Sequence, residues 1–348
     1  MRMASFMTRQ LFFVPLSLIV CVAILHLPSS LRSFNCSLFY NNQRKSSRVG
    51  KNHDRRGTCP DLDAVTKGSW DNKTKQWHPA NCTFTPVKKA SVDRCLTNKR
   101  ISFYGDSTLK AIANALIRIS NATDIIKLSA VAGNDQKYKC GGGTFGHNAS
   151  IAMWWTPSAY HQQPPAVGTM SMDDISIISI AAWDMGAYYQ GVNSWFTSMR
   201  NMIRQAAVER NGRPLYIMNL HCVYKSKCQL KHDSEEGRKK LQLCLTSKCD
   251  DLIFGFRDAL AAAVKCSQIE GHTNVHLVDT YGVTDSSFAE EQSNGVHFGD
   301  DIVDMELQVV LLAICGGLRQ VNGVMDSFVC PVTQLEIKFE QGRKITCK

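Results

Sequence analysis

The chain has 348 residues, of which 44% are hydrophobic and 20% are charged, and its formal net charge is +10. These values are ordinary for a globular protein, and the length allows one large domain or a domain with appendages. The positive charge suits an acidic partner such as a uronic-acid polysaccharide, but no basic block interleaved with aromatic residues supports nucleic-acid binding.

The N-terminal part carries an apolar run, Leu11–Leu27, without charged side chains. Its length fits a transmembrane helix or the apolar part of a signal peptide, and the lack of a good cleavage site after it favours an uncleaved anchor. We therefore predict a single-pass type II protein of the Golgi or ER membrane, with a secreted protein as the alternative. The predicted segments are a cytoplasmic tail over 1–10, a signal anchor over 11–27, a polar stem over 28–57 and a lumenal domain over 58–348.

Sequons and cysteines indicate that the chain beyond the apolar run is lumenal. Proteins of that oxidising compartment carry both N-glycans and disulfide bonds. Of the 14 cysteines only Cys21 lies in the apolar run, and the odd number that follows leaves at least one thiol outside intrachain pairs. The predicted glycosylation sites are Asn35, Asn72, Asn81, Asn121 and Asn148.

Four cysteines in the second half could be mistaken for a zinc site. Their spacing is too wide for the usual zinc knuckles, so we predict no metal there. They are Cys222, Cys228, Cys244 and Cys249.

The lumenal part begins with a lead-in over residues 58–98, in which cysteines and tryptophans stand among turn residues. This composition predicts a small lobe stapled by disulfide bonds, with Cys95 at its end.

The stretch that follows organises the chain. Its apolar run Ile101–Tyr104 predicts a buried strand, and the apolar positions from Leu109 onward have helical spacing.

The turn between these two elements is Gly105-Asp106-Ser107, which would put a serine hydroxyl at the C-terminal end of a strand and at the start of a helix. In open α/β sheets ligands bind at that edge, and a helix N-terminus favours negative charge. The alternative interpretation is an ordinary strand-to-helix turn in which Asp106 or Ser107 caps the helix.

Strand and helix patterns alternate through the rest of the chain. This alternation predicts an α/β fold with a mostly parallel sheet that is covered on both faces. A loop is expected around Cys140–Gly143. The other predicted strands are 124–131, 150–155, 174–182, 214–220 and 275–278, and the predicted helices are 195–208, 252–264 and 301–315.

A serine nucleophile needs a base, and the best candidate is His297 in the Gly-containing loop before the last helix. His221, which follows a predicted strand, is the second candidate. Asp300 and Asp301 are expected to cap the last helix.

Three motifs together resemble the PC-esterase family of SGNH/GDSL-type enzymes: Gly105-Asp106-Ser107, Trp183-Asp184 after a buried strand, and Gly295-Val296-His297. That family includes the trichome-birefringence-like, neurexophilin-and-PC-esterase and sialic-acid O-acetyltransferase proteins. The spacing of cysteines and tryptophans in the lead-in is similar as well. The resemblance implies an SGNH-hydrolase-like three-layer αβα sandwich over roughly residues 58–315.

The resemblance also implies roles for single residues. Ser107 would be the nucleophile, His297 the base, and Lys110 would orient the turn or a substrate. The oxyanion hole would use the Ser107 N–H, Gly133 and Asp184, with Asp106 beside the pocket. Gly141–Gly143 compete with Gly133, and a structural cap is the alternative role for Asp184.

One position departs from the family pattern. The third triad member is an Asp three residues before the histidine, and this chain has Asn294 there. An amide oxygen accepts a hydrogen bond from an imidazole but does not stabilise the imidazolium as a carboxylate does. Either another acid (Asp184, Asp285 or Asp300) substitutes, or a Ser-His dyad operates, or the site is weakened.

The leading functional hypothesis is a lumenal O-acyltransferase that acetylates hydroxyls of a glycan through a Ser107 acyl-enzyme. No bound cofactor is expected, and acetyl-CoA is the candidate acyl donor. One alternative is an SGNH-type carbohydrate acetyl-esterase. The other is a catalytically weakened, glycan-binding membrane glycoprotein.

Overall fold

The computed structural model describes residues 57–120, 129–133, 136–145, 148–160, 167–180, 182–185, 190–224 and 249–319. The predicted tail, anchor and stem lie outside these ranges, as do the sequons at Asn35 and Asn121 and the cysteines at 228 and 244. Within the ranges, no helix combines the length and apolar character of a membrane span. The sequon asparagines Asn72, Asn81 and Asn148 are exposed.

One large sheet of seven strands organises the described part of the chain, in the order β4-β5-β6-β3-β7-β8-β9. The five strands from β6 to β9 in this order are parallel, whereas β4 and β5 pair antiparallel. A separate hairpin joins β1 (Gly68–Asp71) to β2 (Gln76–Pro79). The large sheet consists of β3 (Arg100–Gly105), β4 (Ser129–Gly133), β5 (Gln136–Phe145), β6 (Ala149–Trp155), β7 (Ile175–Ser179), β8 (Leu215–Met218) and β9 (Val275–Val278).

The helices connect these strands and flank the sheet. A 3₁₀ helix, Val167–Met172, precedes β7. The α-helices are α1 (Leu62–Thr66), α2 (Lys89–Leu96), α3 (Ser107–Ile119), α4 (Val192–Glu209), α5 (Cys249–Ile269), α6 (Tyr281–Thr284), α7 (Ser287–Glu291) and α8 (Asp300–Ile314).

Two apolar cores lie on the two faces of the sheet, because side chains alternate along a strand. Phe103 of β3 belongs to the core that α3 and α8 cover, and its neighbour Tyr104 belongs to the core that α4 and α5 cover. The predicted α/β architecture with a mostly parallel sheet is therefore confirmed.

Two expectations about local structure are corrected. The segment around Cys140–Gly143 is not a loop but the middle of β5, where Gly141–Gly143 pair with β6. This pairing covers an edge of β6 that would otherwise expose its backbone hydrogen-bonding groups. The lead-in is not a separate lobe, since Leu62, Val65 and Trp77 belong to the same core as Phe103.

The start of α8 is a third correction. Gly299 occupies the cap position, so Asp300 and Asp301 lie in the first turn of the helix instead of capping it. Carboxylates in a first turn still stabilise a helix, because they face the positive end of its dipole.

The expected disulfide bonds are present. Cys59 bonds to Cys82 inside the lead-in, and Cys95 bonds to Cys315 at the end of α8. The second bond joins residues 220 positions apart, so it closes a long loop and ties the start of the domain to its last described helix. Cys222 keeps a buried thiol, 3.9 Å from the Tyr281 hydroxyl.

A buried polar network fastens the sheet at the edge where its parallel strands begin. The guanidinium of Arg210, which is 1% exposed, donates to the carbonyls of Met170, Asp173 and Asp174 and to the Ser176 hydroxyl. The Asp173 carboxylate in turn accepts from the hydroxyls of Tyr104 and Ser176 and pairs with Arg100 at 2.9 Å. Burial raises the pKa of Asp173, against these hydrogen bonds and cations.

Replacing Arg210 tests the importance of this network. We expect Arg210→Met to lower the free energy of unfolding by about 3–5 kcal/mol, because it removes a cation and leaves buried acceptors without their donor. Urea unfolding measures the change. The matched control is Arg204→Met on α4, whose side chain is 64% exposed and lies 3.9 Å from Glu270. Its effect should stay within about 0.5 kcal/mol, and equal effects of the two variants would contradict the prediction.

Candidate active site

Ser107 is fixed by the strand that precedes it and the helix that it begins. The backbone of Gly105 approaches β7 so closely that a Cβ there would lie 2.3 Å from the Ser179 carbonyl oxygen. Asp106 caps α3 by accepting from the Thr108 N–H at 2.9 Å. The first N–H groups of a helix have no intrahelical acceptor. The N–H of Ser107 is therefore available at the positive end of α3.

His297 reaches Ser107 from the loop between α7 and α8. Its Nε2 lies 2.7 Å from the Ser107 Oγ, although the two residues are 190 positions apart. The imidazole is half-buried. The structure thus brings together the predicted nucleophile and the predicted base in hydrogen-bonding geometry, which is the arrangement that lets a histidine take the proton of a serine hydroxyl.

Asn294 shapes the His297 loop through the main chain. Its Oδ1 accepts from the backbone N–H of His297 at 3.0 Å and from that of Val296 at 3.3 Å. Its own backbone N–H donates to the His297 carbonyl. These bonds form a turn that holds the backbone of the base, which differs from the contact with the imidazole that the triad comparison implies.

Two of the acids considered as substitutes for a triad carboxylate are exposed. Asp300 lies 3.2 Å from Arg118. Asp285 follows the end of α6.

Asp184, the third of these acids, is fully buried beside the site and ties three segments together. Its Oδ2 accepts from the Ala159 N–H and from the Trp195 indole N–H, both at 2.8 Å. Burial raises its pKa to about 6, against the hydrogen bonds from Ser158, Ala159 and Trp195. These contacts match the structural role that the sequence left open for Asp184. They join the loop after β6 to α4.

The strand order places two strands between Gly133 and β3, so its oxyanion role stays a prediction. Gly133 ends β4, and β5 and β6 lie between β4 and β3. Adjacent strands are about 4.8 Å apart, so β4 runs roughly 14 Å from the strand that carries Ser107. The strand next to β3 on that side is β6. Its exit, where the Thr156 N–H donates to the Gly105 carbonyl at 2.8 Å, lies beside the site.

Lys110 follows Ser107 by one turn of α3 and is half-buried. Residues three positions apart lie on the same side of a helix. The ammonium therefore stands on the side of α3 that carries the nucleophile.

The sequence did not reveal the pairing of His221 with Glu306. His221, the second candidate for the base, is buried against Glu306 of α8 instead of facing Ser107 in the described contacts. Glu306 is 1% exposed within an otherwise apolar part of its helix. The sequence signal that could have identified Glu306 is that it is an acidic residue among the apolar positions of the last predicted helix.

Comparisons with known proteins agree with the motifs. Residues 77–179, which include Ser107, match the family model described as NXPE family member 4-like, C-terminal domain. This match supports the PC-esterase/SGNH-type assignment that the sequence predicted. No curated protein matches the chain.

Three solved structures illustrate what the chain is similar to. A lipase/acylhydrolase from Enterococcus faecalis is 13% identical, over 64% of this chain and 97% of that one, with a TM-score of 0.40. A carbohydrate esterase family 3 protein from Talaromyces cellulolyticus is 11% identical, over 63% and 99%, with a TM-score of 0.40. The salicylyl-acyltransferase SsfX3 from a tetracycline biosynthetic pathway is 11% identical, over 67% and 56%, with a TM-score of 0.37.

The raised pKa of Asp184 predicts how stability changes with pH. Because its pKa is about 6 in the folded protein and its ordinary value is 3.8, Asp184 contributes stability that is fully present below pH 3.8 and is lost as the pH rises through 6. Asp184→Asn keeps an acceptor oxygen without the charge. We expect it to be more stable than the wild type by about 1–3 kcal/mol at pH 7 and to lose that advantage near pH 4.

Thermal and urea unfolding of both proteins across this pH range measure the difference. A constant difference from pH 4 to pH 7 would show that Asp184 does not titrate as described. Asp93→Asn on α2 is a control for the loss of one negative charge, since Asp93 lies at 14% side-chain exposure beside Lys89.

Proposed function

We propose that this protein is a serine acyltransferase of the PC-esterase/SGNH type that transfers an acetyl group to a hydroxyl of a glycan. The observation that carries the proposal is the 2.7 Å contact between His297 Nε2 and Ser107 Oγ at the carboxyl edge of a parallel sheet. The second support is the family-model match over residues 77–179.

The proposed reaction has two steps. Ser107 Oγ attacks the carbonyl carbon of an acetyl donor while His297 takes the serine proton. The bond between the acetyl carbon and the donor's leaving group then breaks, His297 gives the proton to that leaving group, and the acetyl–Ser107 ester remains. A glycan hydroxyl then gives its proton to His297 and attacks the ester. The acetyl group passes to the sugar oxygen, and the proton returns to Ser107. The N–H of Ser107 would stabilise the oxyanion of both tetrahedral intermediates.

The choice between a glycan and water as the acceptor depends on how well the pocket excludes water. Transfer to water by the same two steps would make the protein an acetyl-esterase. The disulfide bonds and the exposed sequons support a place in the secretory pathway, where the N-terminal apolar run would anchor the chain. A Golgi or ER location is part of the proposal, and so is acetyl-CoA as the donor.

A fluorophosphonate probe tests for an activated serine. We expect the full wild-type chain to be labelled on Ser107, and Ser107→Ala and His297→Gln to lose more than about 99% of the labelling rate, because removal of either partner of such a pair costs several orders of magnitude. Mass spectrometry of the labelled peptide identifies the site.

Ser91→Ala and His276→Gln are the matched controls. Ser91 is exposed on α2. His276 lies on β9 with its ring 5.3 Å from that of Tyr216. Both should label like the wild type. A folded wild type that is not labelled would contradict the proposed enzyme and favour a glycan-binding glycoprotein.

The acceptor is tested by competition between a sugar and water. With p-nitrophenyl acetate as the donor, we expect O-acetyl groups on an added polyuronic acid, and fewer on a neutral glucan of equal length, because Lys110 offers a cation one turn from Ser107. Lys110→Gln should lower transfer to the acidic chain about tenfold and leave transfer to the glucan unchanged. Release of acetate alone, with no sugar ester detected by mass spectrometry, would make the protein an esterase.

A further inference from the structure

The segment that follows β8 packs against the loop that carries His297. The backbone N–H of Tyr224 donates to the Gly295 carbonyl at 2.8 Å. The Phe298 ring packs edge-on between two aromatic rings of this segment, 5.1 Å from His221 and 6.1 Å from Tyr224. The residues on both sides of His297 therefore rest on the same short stretch of chain.

A buried histidine and a buried glutamate link this stretch to α8. His221 Nδ1 lies 3.7 Å from Glu306 Oε1, and the two side chains are 7% and 1% exposed. The Thr280 hydroxyl, just after the end of β9, donates to the same Glu306 oxygen at 2.8 Å. Because α8 begins three residues after His297, the pair joins the segment after β8 to the helix that follows the loop of the base.

The carboxylates around His221 favour its protonated form. Burial by itself lowers the pKa of His221, but the Glu306 carboxylate, the Asp106 carboxylate and the backbone of Val296 together raise it above the ordinary value. Asp106 faces His221 from the turn that begins α3, and Glu306 faces it from α8. Two buried carboxylates, Asp106 and Glu306, thus act on His221, which packs against Phe298 of the His297 loop.

We propose that His221 and Glu306 are a positioning pair for the base: His221, paired with Glu306, fixes the His297 loop and offsets the buried negative charge behind the Ser107–His297 contact. The pair touches neither substrate nor reacting atoms. The inference rests on the proposed serine chemistry, since positioning matters only if His297 takes the Ser107 proton. Small displacements of a base cost up to about 100-fold in rate.

The test measures the fluorophosphonate labelling rate of Ser107 between pH 5 and pH 9. In His221→Gln the carboxylates lose their cation, and the excess negative charge favours protonated over neutral His297. We expect labelling about tenfold slower at pH 7, with the half-maximal rate moved upward by roughly one pH unit. The charge-balanced double variant His221→Gln/Glu306→Gln should return the half-maximal pH to that of the wild type. A purely structural role would lower stability without moving and restoring the pH profile.

A second measurement does not depend on activity. In ¹³C-histidine NMR, assigned with His221→Gln and His297→Gln, the His221 ring should be protonated at pH 7 in the wild type, and in Glu306→Gln it should become largely neutral. A His221 ring that is neutral at pH 7 in the wild type overturns the inference, even if single variants at His221 fail to fold. His276→Gln is the control that should change neither measurement.

The two proposals fail in different ways. A wild type that is not labelled at any pH contradicts the serine enzyme, and the NMR titration still decides whether the pair is ionised. A labelled wild type whose rate and pH profile are unchanged in His221→Gln leaves the enzyme in place and overturns the positioning pair.

Discussion

The candidate site depends on the position of β3 between two parallel partners. This strand pairs along its length with β6 on one side and with β7 on the other, in register from Ile101 to Gly105. A strand that is bonded on both edges and buried on both faces has no freedom to shift, because a slip of one residue would exchange its two faces. The end of β3 is therefore the most constrained point at which the fold could present Ser107.

The same constraint explains why the other groups collect at this edge. The parallel strands end on one side of the sheet, so the loops after β7, β8 and β9 bring Asp184, His221 and His297 toward the end of β3. The edge where these strands begin is closed by Arg210 and Asp173. The buried network of Arg210 and Asp173 thus lies at one edge of the sheet, and the loops with the candidate catalytic residues lie at the opposite edge.

The sequence predicted the parts that depend on local pattern. Buried strands, amphipathic helices and the turn at Gly105 follow from apolar spacing, and the meeting of Ser107 with His297 follows from the rule about parallel strand ends. It did not predict that β5 would be inserted beside β6, because strand order in a sheet is not strand order in the chain. The oxyanion role of Gly133 comes from the family resemblance, which carries no information about strand order in this chain. Glu306 was missed because its partner comes from a distant segment.

The loops at this edge of the sheet suggest how the site can work with Asn294 in place of the triad Asp. A triad carboxylate does two things: it orients the imidazole and it stabilises the imidazolium that forms during the reaction. At this site part of the orientation comes from the main chain, since Asn294 fixes the backbone of His297 and Tyr224 fixes that of Gly295.

In the proposed reaction, the buried carboxylates of Asp106 and Glu306 and the proposed cation at His221 act together on proton transfer from Ser107 to His297. With Asn294 at the position of the triad Asp, the loop itself lacks one negative charge. The charges of Asp106, Glu306 and His221 therefore have a larger relative effect on His297. Proton transfer to the base then depends on the packed segments around it as much as on its own loop. This is why the pH profile, more than the rate alone, reports on the mechanism.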